Sequence, residues 1–178
     1  MGGARAQEES LARASGLVRC LEEAPGYYAA NRAERSCLYT DHLIYSPGVP
    51  VFRDDSGARL ARPYLAAFLT SPAPNQGAIE RNEPERLAQV RPTLERRARQ
   101  VLKVAAANGH RALVLGAWGC GAFRCESRMV AEVFRALFVE HEVQRAFDVV
   151  VFAILGGRPG QSTYSTFREV LADVGSAG

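Results

Sequence analysis

The sequence predicts a single α/β domain, on three observations. Ala112–Leu115 and Asp148–Leu155 are short apolar runs of strand length, and each is followed by a glycine-rich loop. Helix-period patterns come next. Glu126–Glu140 carries Val130, Val133, Phe134, Leu137 and Phe138 on one face, and Ser162–Val174 carries Phe167, Val170, Leu171 and Val174. The chain has 178 residues, 47% of them hydrophobic and 23% charged, which suits one globular core.

The earlier elements follow from the same rules. Gln7 to Glu23 reads as one helix, with Leu11, Ala14, Val18 and Leu21 on a stripe and Pro25-Gly26 as its stop. Tyr28–Ser36 reads as a polar connection. Leu43–Tyr45 and Val49–Phe52 read as two short strands around Ser46-Pro47-Gly48, and Asp54-Asp55-Ser56-Gly57 as a turn. Pro63–Leu69 is expected to be a buried strand and Ser71–Gly77 a loop. A helix is expected over Pro84–Ala107, with Leu87, Val90, Leu94, Val101 and Leu102 inward, a kink or division at Pro92, and Asn108-Gly109 as its end. Asp148–Leu155 is expected to be buried on both faces, with Gly156–Gly160 as a second glycine loop. In such sheets ligands sit at the carboxyl ends of the strands, where both glycine loops lie.

Composition narrows the function classes. No apolar run reaches the roughly 20 residues that span a bilayer, so no membrane association is expected. The first residues lack the basic and apolar regions of a signal peptide, which makes the cytoplasm the default location. The net charge is +3, mildly favourable to an anionic ligand but no nucleic-acid footprint, and no direct nucleic-acid binding is expected. The basic stretch Arg91–Lys103 reads as the solvated face of a helix. Cys20, Cys37, Cys120 and Cys125 form no C-x-x-C pair and stand apart from His42, His110 and His141, so neither a zinc site nor a disulfide framework is expected.

Two segments can carry chemistry. Gly116-Ala117-Trp118-Gly119-Cys120-Gly121-Ala122-Phe123 leaves its backbone bare, and a helix is expected to follow at once. Successive N–H groups before a helix cradle an anion such as a diphosphate. The segment lacks the Lys-Ser/Thr of a P-loop and the dinucleotide G-x-G-x-x-G context, and a tight strand-to-helix turn is the other reading. Gln7-Glu8-Glu9 opens the first helix, where the dipole favours carboxylates, so simple capping is one reading. The other is acid/base catalysis. A carboxylic acid protonates a leaving oxygen, and its conjugate base then activates water. The helix dipole could lower the thiol pKa of Cys120. Asn75 and Gln76 are weaker candidates for contacts to a base or sugar.

Together, four stretches resemble the bacterial-type poly(ADP-ribose) glycohydrolases, which have a macrodomain fold: Gly3–Glu9, Tyr45–Asp54, Leu115–Arg124 and Val151–Leu155. The combination of Gln-Glu-Glu with the distal glycine loop is specific. The resemblance implies a mixed sheet sandwiched between helices. It implies hydrolysis of ribose–ribose O-glycosidic bonds from chain ends, with poly(ADP-ribose) or an ADP-ribosylated protein as substrate. Glu9 would be the acid/base, and Glu8 would hold hydroxyls of the cleaved ribose beside Gln7. Gly119, Cys120, Gly121 and Ala122 would bind the diphosphate through backbone N–H groups, Gly116 would be a further substrate-binding residue, and Phe123 would position the terminal ribose. No metal or organic cofactor is implied, and a monomer is expected. Two alternatives remain: a module that binds ADP-ribose without cleaving it, and a hydrolase of mono-ADP-ribosylated protein or nucleic acid. The family carries a glycine triplet and further strands before Gln-Glu-Glu. Here only Gly2-Gly3 precede Ala4, so residues 1–178 read as the C-terminal part of one such domain, truncated at its N-terminus, with those strands missing.

Overall fold

A computed structural model describes residues 7–154 and 163–174, without the side chains of residues 141, 142 and 144. Gly3–Ala6, Leu155 and the second glycine loop, Gly156–Gly160, lie outside the described residues. The chain divides into two compact units. One holds residues up to Arg35 together with Thr40–Pro72. The other holds Ser36–Tyr39 and the chain from Ala73 onward.

Among the described residues the first unit has three helices and a hairpin. The expected single helix over Gln7–Glu23 is two: α1, Gln7–Ala14, and α2, Leu17–Glu22. The break has a physical cause. Ser15 Oγ turns back to the Leu11 carbonyl at 2.7 Å, and the Gly16 amide leaves the helix for the Pro50 carbonyl at 2.9 Å. Side-chain bonds of this kind compete with the helical ladder. The break also turns the stripe, so Ala12, Leu17 and Leu21 are buried while Leu11 is exposed. Pro25 does not end the helical region but starts α3, Pro25–Ala33, in place of the expected polar connection. Proline fits there because the first turn of a helix leaves its N–H groups unpaired.

The two short strands expected around Ser46-Pro47-Gly48 are one, β1, Ile44–Arg53. A register shift between Ser46 and Val49 absorbs Pro47, which has no N–H to give, and Gly48 at φ +64°. β1 pairs antiparallel with β2, Arg59–Thr70. Asp54 closes the turn by accepting from Ser56 N, Ser56 Oγ and Ala58 N at 2.9, 2.6 and 3.0 Å. The expected burial of Pro63–Leu69 is corrected, since Leu65 is 71% exposed. Leu17, Leu21, Ile44 and Val49 form the core of this unit, with Tyr27, Tyr28 and Phe68 against them.

The second unit has helices α4, Gln76–Asn82, and α5, Val90–Ala107, joined by a 3₁₀ turn over Pro84–Gln89. The division expected at Pro92 falls just before it, so that Pro92 sits in the first turn of α5. β3, Ala112–Leu115, pairs parallel with β4, Val149–Phe152. Between them run α6, Ser127–Phe138, and α7, His141–Ala146, and α8, Thr163–Val170, follows. All five residues expected inward on α6 are buried. The Phe152 ring meets Phe134 at 5.3 Å and Phe167 at 5.4 Å, which fixes one face of the parallel pair against α6 and α8.

The opposite face of the pair is open among the described residues. Val114, Val149 and Val151 are 72%, 54% and 48% exposed, so β4 alternates and is not buried on both faces as expected. The basic stretch on α5 is likewise more than a solvated face. Arg91 pairs with Glu95 and Glu132, and Arg99 with Glu140. Such surface pairs contribute about 0–1 kcal/mol each. Arg97 is buried outright.

Candidate functional site

The carboxylates come from the first unit. Gln7, Glu8 and Glu9 open α1, with Gln7 exposed and both glutamates half-buried. Acidic side chains in a first turn suit the partial positive charge of the unpaired N–H groups there. Glu8 has a partner that sequence pattern does not show: Tyr28 Oη on α3 donates to its Oε1 at 3.0 Å. Burial, and then the Glu8 charge, push the Tyr28 phenol well above its ordinary pKa. It therefore remains a donor throughout the neutral range.

The glycine loop belongs to the second unit. After β3 the chain makes tight turns, with Trp118 N donating to Gly116 O, Cys120 N to Ala117 O and Arg124 N to Gly121 O. Cys125 N returns to Gly119 O at 3.0 Å. Among the described residues, the amides of Gly119, Gly121, Ala122 and Phe123 donate to no protein acceptor. Three of these are consecutive, and Gly121 and Ala122 are exposed. Consecutive free N–H groups on an open turn make an anion-binding concavity. The Cys120 amide is already committed to Ala117.

The expectation that a helix follows at once is corrected. α6 begins at Ser127, because the chain first doubles back through Arg124, at φ +56°, to seat Cys125 beneath Gly119. A β-carbon on Gly119 would lie 2.8 Å from both Cys125 Sγ and Ala73 Cβ, and its φ is +77°. Glycine is required there on both counts.

A second loop buttresses the first. Gly77 N donates to Phe123 O at 2.9 Å, and Cys125 Sγ lies 3.2 Å from Pro74 O. Asn75 and Gln76, considered as base or sugar contacts, have structural work. Asn75 Oδ1 caps α4 by accepting from Ala78 N, and Gln76 Oε1 accepts from Glu126 N. The Phe123 ring rests 5.8 Å from that of Tyr39. The pKa of Cys120 is not lowered. Burial pushes its thiol up, and that of Cys125 to about 11. A protonated thiol is a poor nucleophile, so the Cys120 thiol is not poised for attack.

Comparisons with known proteins identify the family. The family described as microbial-type PARG, catalytic domain, matches residues 1–54, the stretch that holds Glu8, Glu9 and Tyr28. A crystal structure of poly(ADP-ribose) glycohydrolase from Deinococcus radiodurans in complex with ADP-ribose is 53% identical, with a TM-score of 0.90 over 96% of this chain and 69% of that one. The chain belongs to the bacterial poly(ADP-ribose) glycohydrolases.

Further glycohydrolase structures agree. The apo form from Deinococcus radiodurans is 51% identical, with a TM-score of 0.87 over 92% of this chain and 68% of that one. The glycohydrolase from Thermomonospora curvata is 48% identical, with a TM-score of 0.86 over 94% of this chain and 61% of that one. A comparison with curated protein sequences gave no match. The α/β class and the enzyme class expected from the sequence, a hydrolase of ADP-ribose polymers, are those of this glycohydrolase family. No helix among the described residues is long and apolar enough to cross a membrane.

Proposed function

We propose that this glycohydrolase cuts ribose–ribose O-glycosidic bonds of poly(ADP-ribose) from chain ends, with Glu9 as general acid and then general base. In the first step the Glu9 proton goes to the departing ribose oxygen as the anomeric C–O bond breaks. In the second, the Glu9 carboxylate takes a proton from water while the water oxygen bonds to the oxocarbenium-like carbon. Atoms and charge balance, and ADP-ribose leaves. Glu8 holds hydroxyls of the cleaved ribose, with Gln7 beside it. The diphosphate sits on the glycine loop, where the Gly119, Gly121 and Ala122 amides are available and Gly116 and Cys120 shape the turn. Phe123 positions the terminal ribose.

One observation carries this assignment. Glu8 and Glu9 are adjacent in the first turn of α1, and the half-buried Tyr28 donates to Glu8, which suits Glu8 as a fixed ribose ligand, while the resemblance gives the acid/base task to Glu9. A binding module has no need for an acid at that point. The free thiols of the described cysteines suit the reducing cytoplasm, where we place the chain as a monomeric enzyme.

Glu9→Gln is the direct test. It should lower the release of ADP-ribose from polymer by about 10²–10⁴-fold, the usual worth of general acid–base catalysis. ADP-ribose affinity by calorimetry should be kept. Turnover at the parent rate would remove Glu9 from the mechanism. Polymers labelled at one end decide chain-end action, since internal cutting yields mid-length fragments early.

A further inference from the structure

The bond from Tyr28 to Glu8 joins residues 20 apart in sequence, on two different helices. The two partners are held very differently. Tyr28 packs with Tyr27, edge to face at 4.9 Å and 88°, against the cluster of Leu17, Leu21, Ile44 and Val49. Its ring is therefore placed by the core of the first unit. Glu8 sits in the first turn of an eight-residue helix that has a single buried residue, Ala12. So short a helix is marginal by itself, and a glutamate at its end has much rotamer freedom to lose.

The phenol carries one proton and gives it to Oε1. The ring packs against the core cluster while the hydroxyl reaches the carboxylate. Such a bond to a charged acceptor is among the stronger ones in proteins.

From this we infer that Tyr28 is a positioning residue for the hydrolysis: it anchors one oxygen of Glu8 to the core and leaves the other to receive a ribose hydroxyl. The inference rests on the reading of Glu8 as the ribose ligand. Tyr28 touches no substrate in this scheme and acts through Glu8 alone. The ribose that Glu8 holds is the one whose anomeric carbon reacts, so a slack Glu8 misplaces the reacting centre. Misplacement of that kind is felt in turnover more than in binding.

Tyr28→Phe removes the hydroxyl and keeps the ring in its packing. In the full chain, with polymer as substrate, it should lower kcat about tenfold while KM moves less than about threefold, as for loss of a bond to a charged group. In a Glu8→Ala background the same change should cost nothing more. Parent-like kcat in Tyr28→Phe beside an impaired Glu8→Ala overturns the inference alone. So does an equal loss from Tyr28→Phe in both backgrounds, which marks a packing effect. Full turnover in Glu8→Ala overturns the reading of Glu8 and the inference with it, and that single variant shows which has failed.

Discussion

The buried guanidinium of Arg97 donates from Nη2 to the carbonyl of Tyr39 at 2.9 Å. Tyr39 has a φ of +61°, a left-handed backbone that a residue with a bulky side chain rarely adopts. Arg97 is 1% exposed and reaches across from α5 to fix that strained turn. The turn in turn sets the Tyr39 ring against Phe123 at the end of the glycine loop. Arg97 is thus a structural support for the loop. Arg97→Lys replaces a planar fork with a point charge that cannot keep the same geometry. It should destabilise the protein by about 1–3 kcal/mol, the cost of a buried polar group left without its partner. Urea unfolding measures this, and parent-like stability would show that the Tyr39 turn holds by other means.

Gly119 and Gly121 are two residues apart and should respond oppositely to a side chain. At Gly119 a methyl meets Cys125 and Ala73 in a left-handed conformation. At Gly121 a β-carbon meets nothing within 4 Å. Gly119→Ala should therefore lower stability by about 1–3 kcal/mol through steric strain. Gly121→Val should leave the melting temperature close to that of the parent and weaken ADP-ribose binding, because its branched side chain projects where the free amides open. Calorimetry on both variants decides. Undiminished ADP-ribose affinity in Gly121→Val would count against the diphosphate cradle.

The parts of the fold and site legible in the sequence are those written locally. Glu8 and Glu9 are neighbours, and Gly116–Gly121 is contiguous, so pattern alone singles them out. α6 is legible because its apolar residues recur on one face. Tyr28 is not, for two reasons: Pro25 signals both the end of one helix and the start of another, and the partner of Tyr28 is 20 residues away. Cys125 has a role only because the chain doubles back beneath Gly119. Arg97 looks like any basic residue in a run of them. Its burial depends on which face of α5 packs, and Thr93, Leu94 and Ala98 beside it mark that face. A charged residue within the apolar register of a helix is the signal that could have found it.

The thiols offer a separate check. Cys125 is buried, its sulfur lies 3.2 Å from the Pro74 carbonyl, and desolvation puts its pKa at about 11. At pH 8 only about one Cys125 in a thousand is a thiolate, and the thiolate is the reactive species. Native protein treated with iodoacetamide at pH 8 should therefore remain unmodified at Cys125, and modification should follow unfolding. Mass spectrometry of the alkylated peptides measures it. Rapid labelling of native Cys125 would mean that the loop opens readily.

Glu83 ties the Ser36–Tyr39 segment to the C-terminal end of α4. Its carboxylate accepts from the Ser36 side chain and from the Cys37 amide at 2.7 Å, while the Cys37 carbonyl accepts from Asn75 N. The Ser36 bond and then the Cys37 amide hold the Glu83 carboxyl below its ordinary 4.5. In the folded protein the group thus binds its proton less readily than in the unfolded chain. Its contribution is complete above about pH 4.5 and is lost as pH falls through the folded value. Asp148 and Asp173 are also held low, by Arg111 and Arg135, but these are exposed pairs. At about 0.5 M salt their contribution is screened. Under those conditions Glu83→Gln should show a shallower fall in stability between pH 5 and pH 3 than the parent, with lower stability at pH 7. Parallel pH profiles for the two proteins would mean that the Ser36–Cys37 tether draws nothing from the charge of Glu83.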